Sequence, residues 1–323
     1  VGKSKAPGEP AQNQLALAKL VEAAFLNINK PKGITSHDVV ARLRRIIGIK
    51  QIGHGGTLDP MAEGVMTIAL GKACRLLRFL PDDKTYKATI RLGLITDTDD
   101  IEGKVLAEDK SATDNPPSRE LVAAALLDFK GDIEQIPPYF SAIHVDGQRL
   151  YELARKGQPP PDIKARPVTI HSIDLLDYQA PEITIRVHCS KGTYIRSIAR
   201  DLGQKLGPGG TLSGLVRESA GKFQLMQSAD LSDNNLLDRL VTVEEAVALP
   251  QMTMPTSLAK RLALGQKIAL SDLPPDANHP GQDAEYVLVL GADSGRAFCA
   301  GRLGLSEIDG QPYIAPEVVF ADV

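Results

Sequence analysis

Apolar and polar residues alternate with a period of two in "KTYKATIRLG" and again in "EITIRVHCS". In the first segment this puts Tyr86, Ala88, Ile90 and Leu92 on one face of a half-buried strand. A chain with strands of this kind must build a sheet with one covered face, so the helices around them have to supply the cover. "VMTIALG" reads as a fully buried strand, "KVLAED" as a short one and "GKFQL" as the last of the series. "GITSHDVVARLRRIIG" reads as a helix with Ser36 as N-cap and Gly48 as stop. "KACRLLRFL", "SRELVAAALLDFKG" (Ser118 as cap, Gly131 as stop) and "GTYIRSIARDLGQKLG" read as further helices. "YFSAIHVDGQRLYELARKG" reads as a strand, an Asp146-Gly147 turn and a helix through Ala154, with "QPPPDIKARP" as a linker after it. Hairpin signals outnumber regular βαβ spacing. The expected class is therefore α+β, with a mixed, mostly antiparallel sheet.

The chain changes character near its C-terminus. After the short helix "VTVEEAVALP" come strand segments separated by glycine turns, the pattern of a small all-β domain. At the other end, "VGKSKAPGEPAQNQ" reads as a disordered leader and "LALAKLVEAAF" as an amphipathic helix. The division expected is leader and helix over 1–24, a catalytic domain over 25–245 and the small β domain over 246–323. No run reaches the roughly 18 apolar residues of a membrane span. Cys74, Cys189 and Cys299 form no CxxC pair, which fits a reducing, cytoplasmic compartment.

Net charge is −3, yet it is unevenly spread. Asn27 to Lys50 carries six basic residues against one acidic, and Arg186 to Lys205 five against one. Ile95 to Asn115 carries seven acidic against two basic, and from Leu270 onward there are nine against two. Phosphate binding follows the local field, so two basic segments can form one nucleic-acid face within an acidic average.

"GHGGTLDPMAEG" holds one carboxylate, Asp59, between glycines and a proline. Glycine admits close backbone approach, and the proline keeps Asp59 out of helical geometry. Alone, the Asp-Pro pair reads as an Asx turn. Tyr86 in "KTYKA" and Tyr194 in "SKGTYIRS" lie among cations, where an aromatic ring can stack on a base while its neighbours hold phosphates. Alone, each reads as a packing residue. His37, His54, His144 and His171 have no Cys or His partner at ligand spacing, so no metal is expected. "DTDDIEG" lacks the oxygen ligands of a calcium loop, "GHGGT" lacks the GK[ST] of a P-loop, and no GxSxG is present.

"NINKPKGITSHDVV", "GHGGTLDPMAEGV", "KTYKATIRLG…TDTDD", "PPYFSAIHVDGQRLYELARKG", "CSKGTYIRSIARDLG" and "LSGLVRESAGKF" occur in this order over about two hundred residues. Together they resemble the TruB family of tRNA pseudouridine synthases, from about Phe25 to Phe223. The resemblance implies a pseudouridine synthase catalytic domain followed by a PUA-like β domain. It implies conversion of the T-loop uridine of tRNA to pseudouridine, without cofactor or metal. Asp59 would be the catalytic aspartate, either attacking C1′ or removing a sugar proton to give a glycal. Tyr86 would stack on the flipped uracil. Arg196 would pair with Asp59 and Asp100, and Tyr194 would remove the C5 proton with help from Lys191 or Arg196. His54 would fill the space the flipped nucleotide vacates. Lys30 matches a further active-site position, and Leu215 would form a wall under the base.

Gly55 stands where family members commonly carry a hydroxyl residue, and His144 where they carry a lysine. The expected partner is the tRNA T-stem-loop, with no membrane, no obligate protein partner and a monomeric state. Two rival readings remain at this stage. One is an RNA-binding or tRNA-folding protein whose isomerase activity is incidental or absent. The other is a guide-RNA-dependent relative, which would lean on basic tails this chain lacks.

Overall fold

The computed structural model describes residues 22–320, apart from 146, 160, 276, 279–283 and 308–309. The leader, most of the helix expected before Phe25, and Asp146 of the Asp-Gly turn lie outside the described residues. The rest of that helix is corrected: Ala23–Lys30 is a strand, β1, buried along most of its length. A short apolar run fits a buried strand as well as a helix, and here pairing along the whole of the neighbouring Glu63–Gly71 decides it.

Ten strands form the main sheet: β1, β2 (Ile52–His54), β3 (Glu63–Gly71), β4 (Lys84–Leu92), β5 (Gly131–Gln135), β6 (Arg166–Gln179), β7 (Glu182–Cys189), β8 (Gly210–Ala220), β9 (Phe223–Gln224) and β10 (Ala229–Asp230). Their spatial order is β10-β1-β3-β8-β4-β7-β6-β5, with β2 also on β3 and β9 on β8. The β1/β10 and β3/β8 pairs are parallel and the others antiparallel, so the sheet is mixed and mostly antiparallel. Periodicity had not marked β6 or β8 as strands. β8 carries two register shifts, at Leu212/Gly214 and Arg217/Ser219, and each breaks the two-residue alternation.

Helix α1 (Ser36–Ile47) is capped by Thr35 rather than Ser36. Thr35 and Asp38 form a reciprocal capping box, and Gly48 closes the helix in the left-handed region at φ 79°. Helix α2 (Arg119–Leu127) starts at its Ser118 cap but stops at Asp128, before Gly131, which opens β5. "KACRLLRF" winds as a 3-10 helix, not an α-helix. Before helix α3 (Leu150–Arg155), where one strand and a turn are expected, two short strands pair, His144–Val145 and Gln148–Arg149, and α4 (Ile195–Leu206) runs where its apolar spacing places it.

On one half of the sheet, α2 and α4 cover a single face, with Val122, Ile198 and Leu202 packed on Ile90, Ile185 and Leu212. The other half is covered on both sides. Val39, Val40 and Leu43 of α1 pack on Leu26, Met66 and Ile68. A second, five-stranded sheet covers the opposite side: β11 (Gln251–Met254), β12 (Ile268–Ala269), β13 (Tyr286–Gly291), β14 (Ala297–Leu305) and β15 (Pro312–Val319), ordered β11-β13-β14-β15-β12. Its Leu288, Leu290 and Val318 share a buried cluster with Phe25, Val65 and Ala69. Arg78 pairs with Glu317 at the edge of this contact. Among the described residues no helix is long and apolar enough to cross a membrane.

Candidate active site

The loop between β2 and β3 carries Asp59, and it is held from beneath by three side chains. Ser36, buried in the first turn of α1, accepts from the Leu58 amide at 2.8 Å and donates to the Leu58 carbonyl at 3.0 Å. Lys30, fully buried at the end of β1, donates to the carbonyls of Ile34 and Ala62 at 2.7 Å each. It also reaches those of Pro31 at 3.0 Å and Pro60 at 3.4 Å. Burial pushes the Lys30 pKa down, and nearby Asp59 opposes that shift. Lys30, which the resemblance puts at an active-site position, lies outside the cleft lining, with its ammonium taken up by the loop.

The third side chain is Arg217 of β8, also buried. It donates to Val65 at 2.6 Å, Gly56 at 3.2 Å and Thr57 at 3.4 Å, gripping the loop on both sides of Asp59. The approach of β8 is close enough to require glycine at position 64. Gly64 sits at φ +108°, and a Cβ there would fall 2.3 Å from the Arg217 carbonyl. In the β4/β8 register Arg217 stands directly opposite Tyr86. Sequence reasoning did not single out Arg217. The available signal was a basic residue directly after the apolar pair Leu215-Val216 of "SGLVRES".

Arg196 projects from the first turn of α4. Its Nε lies 2.9 Å from Asp59 Oδ2, and its Nη1 lies 3.5 Å from Asp100 Oδ2. It also donates to the carbonyls of Thr98 at 3.1 Å and Phe140 at 3.0 Å. Asp100 is buried and accepts from the Thr98 hydroxyl at 2.8 Å and the Glu102 amide at 3.1 Å. Burial pushes the Asp100 carboxyl up, and the Thr98 bond and Arg196 oppose this. The Asp59 side chain keeps 32% exposure against 7% for Arg196, so the carboxylate faces an opening while its partner is enclosed.

That opening is a cleft of about 380 Å³, lined by Asp59, Tyr86, Tyr194, Arg196, Leu215 and Arg217 among others. Burial pushes the Tyr86 hydroxyl up, with Arg217 opposing. Tyr194 is fixed through its backbone: its amide donates to Gln135 Oε1 at 2.7 Å, and its carbonyl accepts from Gln135 Nε2 at 3.0 Å. Burial also pushes the Tyr194 hydroxyl up, with Ser141, Arg196 and Arg166 opposing. Lys191, expected to help Tyr194, instead pairs with Asp82 at 2.6 Å on the cleft rim. The cations that act on Tyr194 are Arg196 and Arg166, and sequence reasoning missed Arg166. It also missed Lys84, a cleft residue whose pKa burial and Arg217 push down.

His54 ends β2 beside the cleft and is not part of its lining. Burial, then Arg217, pushes its pKa down. Asp100 likewise reaches the site only through Arg196. Outside the cleft the fold brings Asp83, His171 and His188 together, a grouping that sequence spacing did not reveal.

One carboxylate with a fixed guanidinium partner, an aromatic ring, an apolar wall and a rim of lysines suit an anionic ligand that carries a flat ring. The model of the TruB family pseudouridylate synthase N-terminal domain matches residues 44–195. A tRNA pseudouridine synthase B of Trichormus variabilis is 46% identical over 256 residues, 76% of this chain and 86% of that protein. The chain belongs to the TruB family. A Synechocystis tRNA pseudouridine synthase B is 41% identical over 308 residues, 91% of this chain and 98% of that one. Among solved structures, a Cbf5-Nop10-Gar1 complex contains a chain that superposes with TM-score 0.71 at 24% identity, covering 94% of this chain and 87% of that one. An H/ACA RNP bound to a substrate RNA gives TM-score 0.70 at 22% identity, covering 99% and 92%. At these identities the structural likeness speaks for the fold alone: a pseudouridine-synthase-type mixed sheet followed by a PUA-like β sheet.

Proposed function

We propose that this TruB family chain converts the T-loop uridine at tRNA position 55 to pseudouridine, with Asp59 acting at the sugar. Family membership and relatives at 41–53% identity support uridine-to-pseudouridine isomerisation in tRNA. The observation that carries the residue assignment is the Asp59 carboxylate, held 2.9 Å from Arg196 and open to a cleft walled by Tyr86 and Leu215.

A uridine inside a folded loop must leave its stack before its C1′ can be reached. Lys84 and Lys191 at the cleft would meet the backbone phosphates, and Tyr86 would take the uracil face. Asp59 then acts at C1′ as nucleophile or as base toward the sugar. The C1′–N1 bond breaks, the uracil turns over, C5 bonds to C1′, and the C5 proton leaves while N1 gains one. No atom is gained or lost, so the reaction needs no external reactant. Tyr194 is the group placed to remove the C5 proton. Its raised pKa keeps the hydroxyl protonated in the free protein, so Arg196 and Arg166 would have to favour its ionised form during turnover. We assign this chemistry to residues 25–245 and an accessory role to 246–323. A monomer working in the cytoplasm fits three free cysteines.

Tritium release from a T-stem-loop transcript labelled at uracil C5 tests the proposal, with wild type and Asp59→Ala side by side. Release by wild type only, mapped to the single T-loop uridine, is the expected result. Tight binding without release by either protein would favour an RNA-folding role instead.

A further inference from the structure

Asp83 ends the segment that leads into β4, and its carboxylate meets imidazoles from two other strands. His171 Nε2 of β6 is 3.2 Å from Oδ1, and His188 Nε2 of β7 is 4.0 Å from Oδ2. The two rings lie 4.7 Å apart between centroids, and the ligand atoms all fall within 4.8 Å of one another. None of the three lines the cleft. Along β7, His188 sits between buried Val187 and Cys189, which share a core with Tyr86. Side chains alternate across a strand, so His188 projects from the face opposite that core.

A surface His–Asp pair would account for one ring and one carboxylate. The second imidazole, close to the first and facing the same carboxylate, fits that reading poorly. Two charged rings so placed repel, whereas two neutral rings present lone pairs. Two imidazoles and a carboxylate are a donor set for zinc, cobalt, nickel or copper. At bond lengths of about 2.0–2.1 Å, ligand atoms around a tetrahedral ion stand about 3.3 Å apart. The 3.2 Å separation already matches, and the widest in the set, within 4.8 Å, closes by up to roughly 1.5 Å, within rotamer reach of half-exposed side chains. Two of the three backbones are fixed in advance: His188 pairs with Ser172 across β6/β7, and the Asp83 carbonyl accepts from Gly221 at 2.8 Å, while His171 sits at the register shift of β6.

We propose that Asp83, His171 and His188 form a binding site for a divalent transition cation of the zinc class, with further coordination positions open to solvent. The ion would tie the start of β4 to β6 and β7. That start carries Asp82, which holds Lys191 at the cleft rim, and it leads into Lys84 and Tyr86. The ion therefore stiffens one wall of the cleft from behind and takes no part in the isomerisation.

Cobalt(II) titration of the full, untagged chain, read by visible absorption and equilibrium dialysis, tests the site. One cobalt per chain is expected, displaced by zinc, with the band lost in both His171→Ala and His188→Ala while far-UV circular dichroism stays wild-type. Zinc should also raise the melting temperature of wild type and not of these variants. Asp83→Asn, on an exposed side chain, provides the same comparison if a histidine variant folds poorly. Absence of saturable binding, or binding that survives the double variant His171→Ala/His188→Ala, overturns the proposal.

Discussion

The Ser36 hydroxyl satisfies both backbone polar groups of Leu58, accepting at 2.8 Å and donating at 3.0 Å, one residue before Asp59. Helix α1 thereby fixes the backbone that aims the carboxylate, and no other hydrogen bond among the described residues reaches those two groups. Ser36→Ala should cost about 1–3 kcal/mol by leaving buried backbone groups unpaired. Denaturant melts would read the stability loss. Single-turnover rates should fall while T-stem-loop affinity holds, since the RNA-facing residues are unchanged.

Asp59→Asn keeps the shape of the side chain and removes its charge. Turnover should be abolished, with tRNA binding largely intact by filter retention. A loss of binding as large as the loss of activity would move Asp59 from chemistry to recognition.

Arg196→Met leaves Asp100 buried beside Asp59 without a counter-charge and frees the carbonyls of Thr98 and Phe140. Breaking a buried ion pair from one side costs about 3–5 kcal/mol. A large drop in melting temperature and loss of tritium release are expected together. Asp100→Asn, added to Arg196→Met, should recover part of the stability but not the activity.

His54 has its pKa pushed below the ordinary 6.5, chiefly by burial. The unfolded chain then binds the His54 proton at a pH where the folded one does not, so acid favours unfolding. Its contribution is complete above about pH 6.5 and is lost as pH falls toward the folded pKa. Melting curves of wild type and His54→Gln across this range should converge as pH drops. A constant gap between them would show that His54 titrates alike in both states.

Gly55 in the loop and Gly64 at the start of β3 should respond differently. Gly64→Ala places a Cβ 2.3 Å from the Arg217 carbonyl at φ +108°, so it should cost at least about 3 kcal/mol and part β3 from β8. Gly55→Ala meets Thr67 and Leu80 at 3.4 and 3.5 Å, close to ordinary contact, and should melt near wild type. A Cβ at position 55 therefore fits without displacing its neighbours.

Period-two alternation in β4 and β7, the continuous apolar run of β3, the capped helices α1 and α2 and the apolar spacing of α4 were legible from local pattern, because each follows a regular repeat or an unbroken apolar run. Local pattern also showed that Asp59 is stiffly held. It did not show what holds it. Ser36 looked like a helix cap and proved to be a clamp, since Thr35 and Asp38 supply the capping box one residue earlier. β8, whose bulges hide its period, was invisible as a strand although it lies at the centre of the sheet.

The sequence by itself determined the class of fold and the family, because these rest on local periodicity and on motifs read in order, and it singled out Asp59 as a stiffly held carboxylate. Only the tertiary structure decided which groups Lys30, Lys191, Arg166 and Arg217 face, and the meeting of Asp83 with His171 and His188. A cation's role depends on which acceptors lie within about 3 Å of it. Lys30 finds two acceptors nearby in the chain, at Pro31 and Ile34, but its bond to Ala62 and the partners of the other three come from segments distant in sequence, at separations that no local spacing encodes.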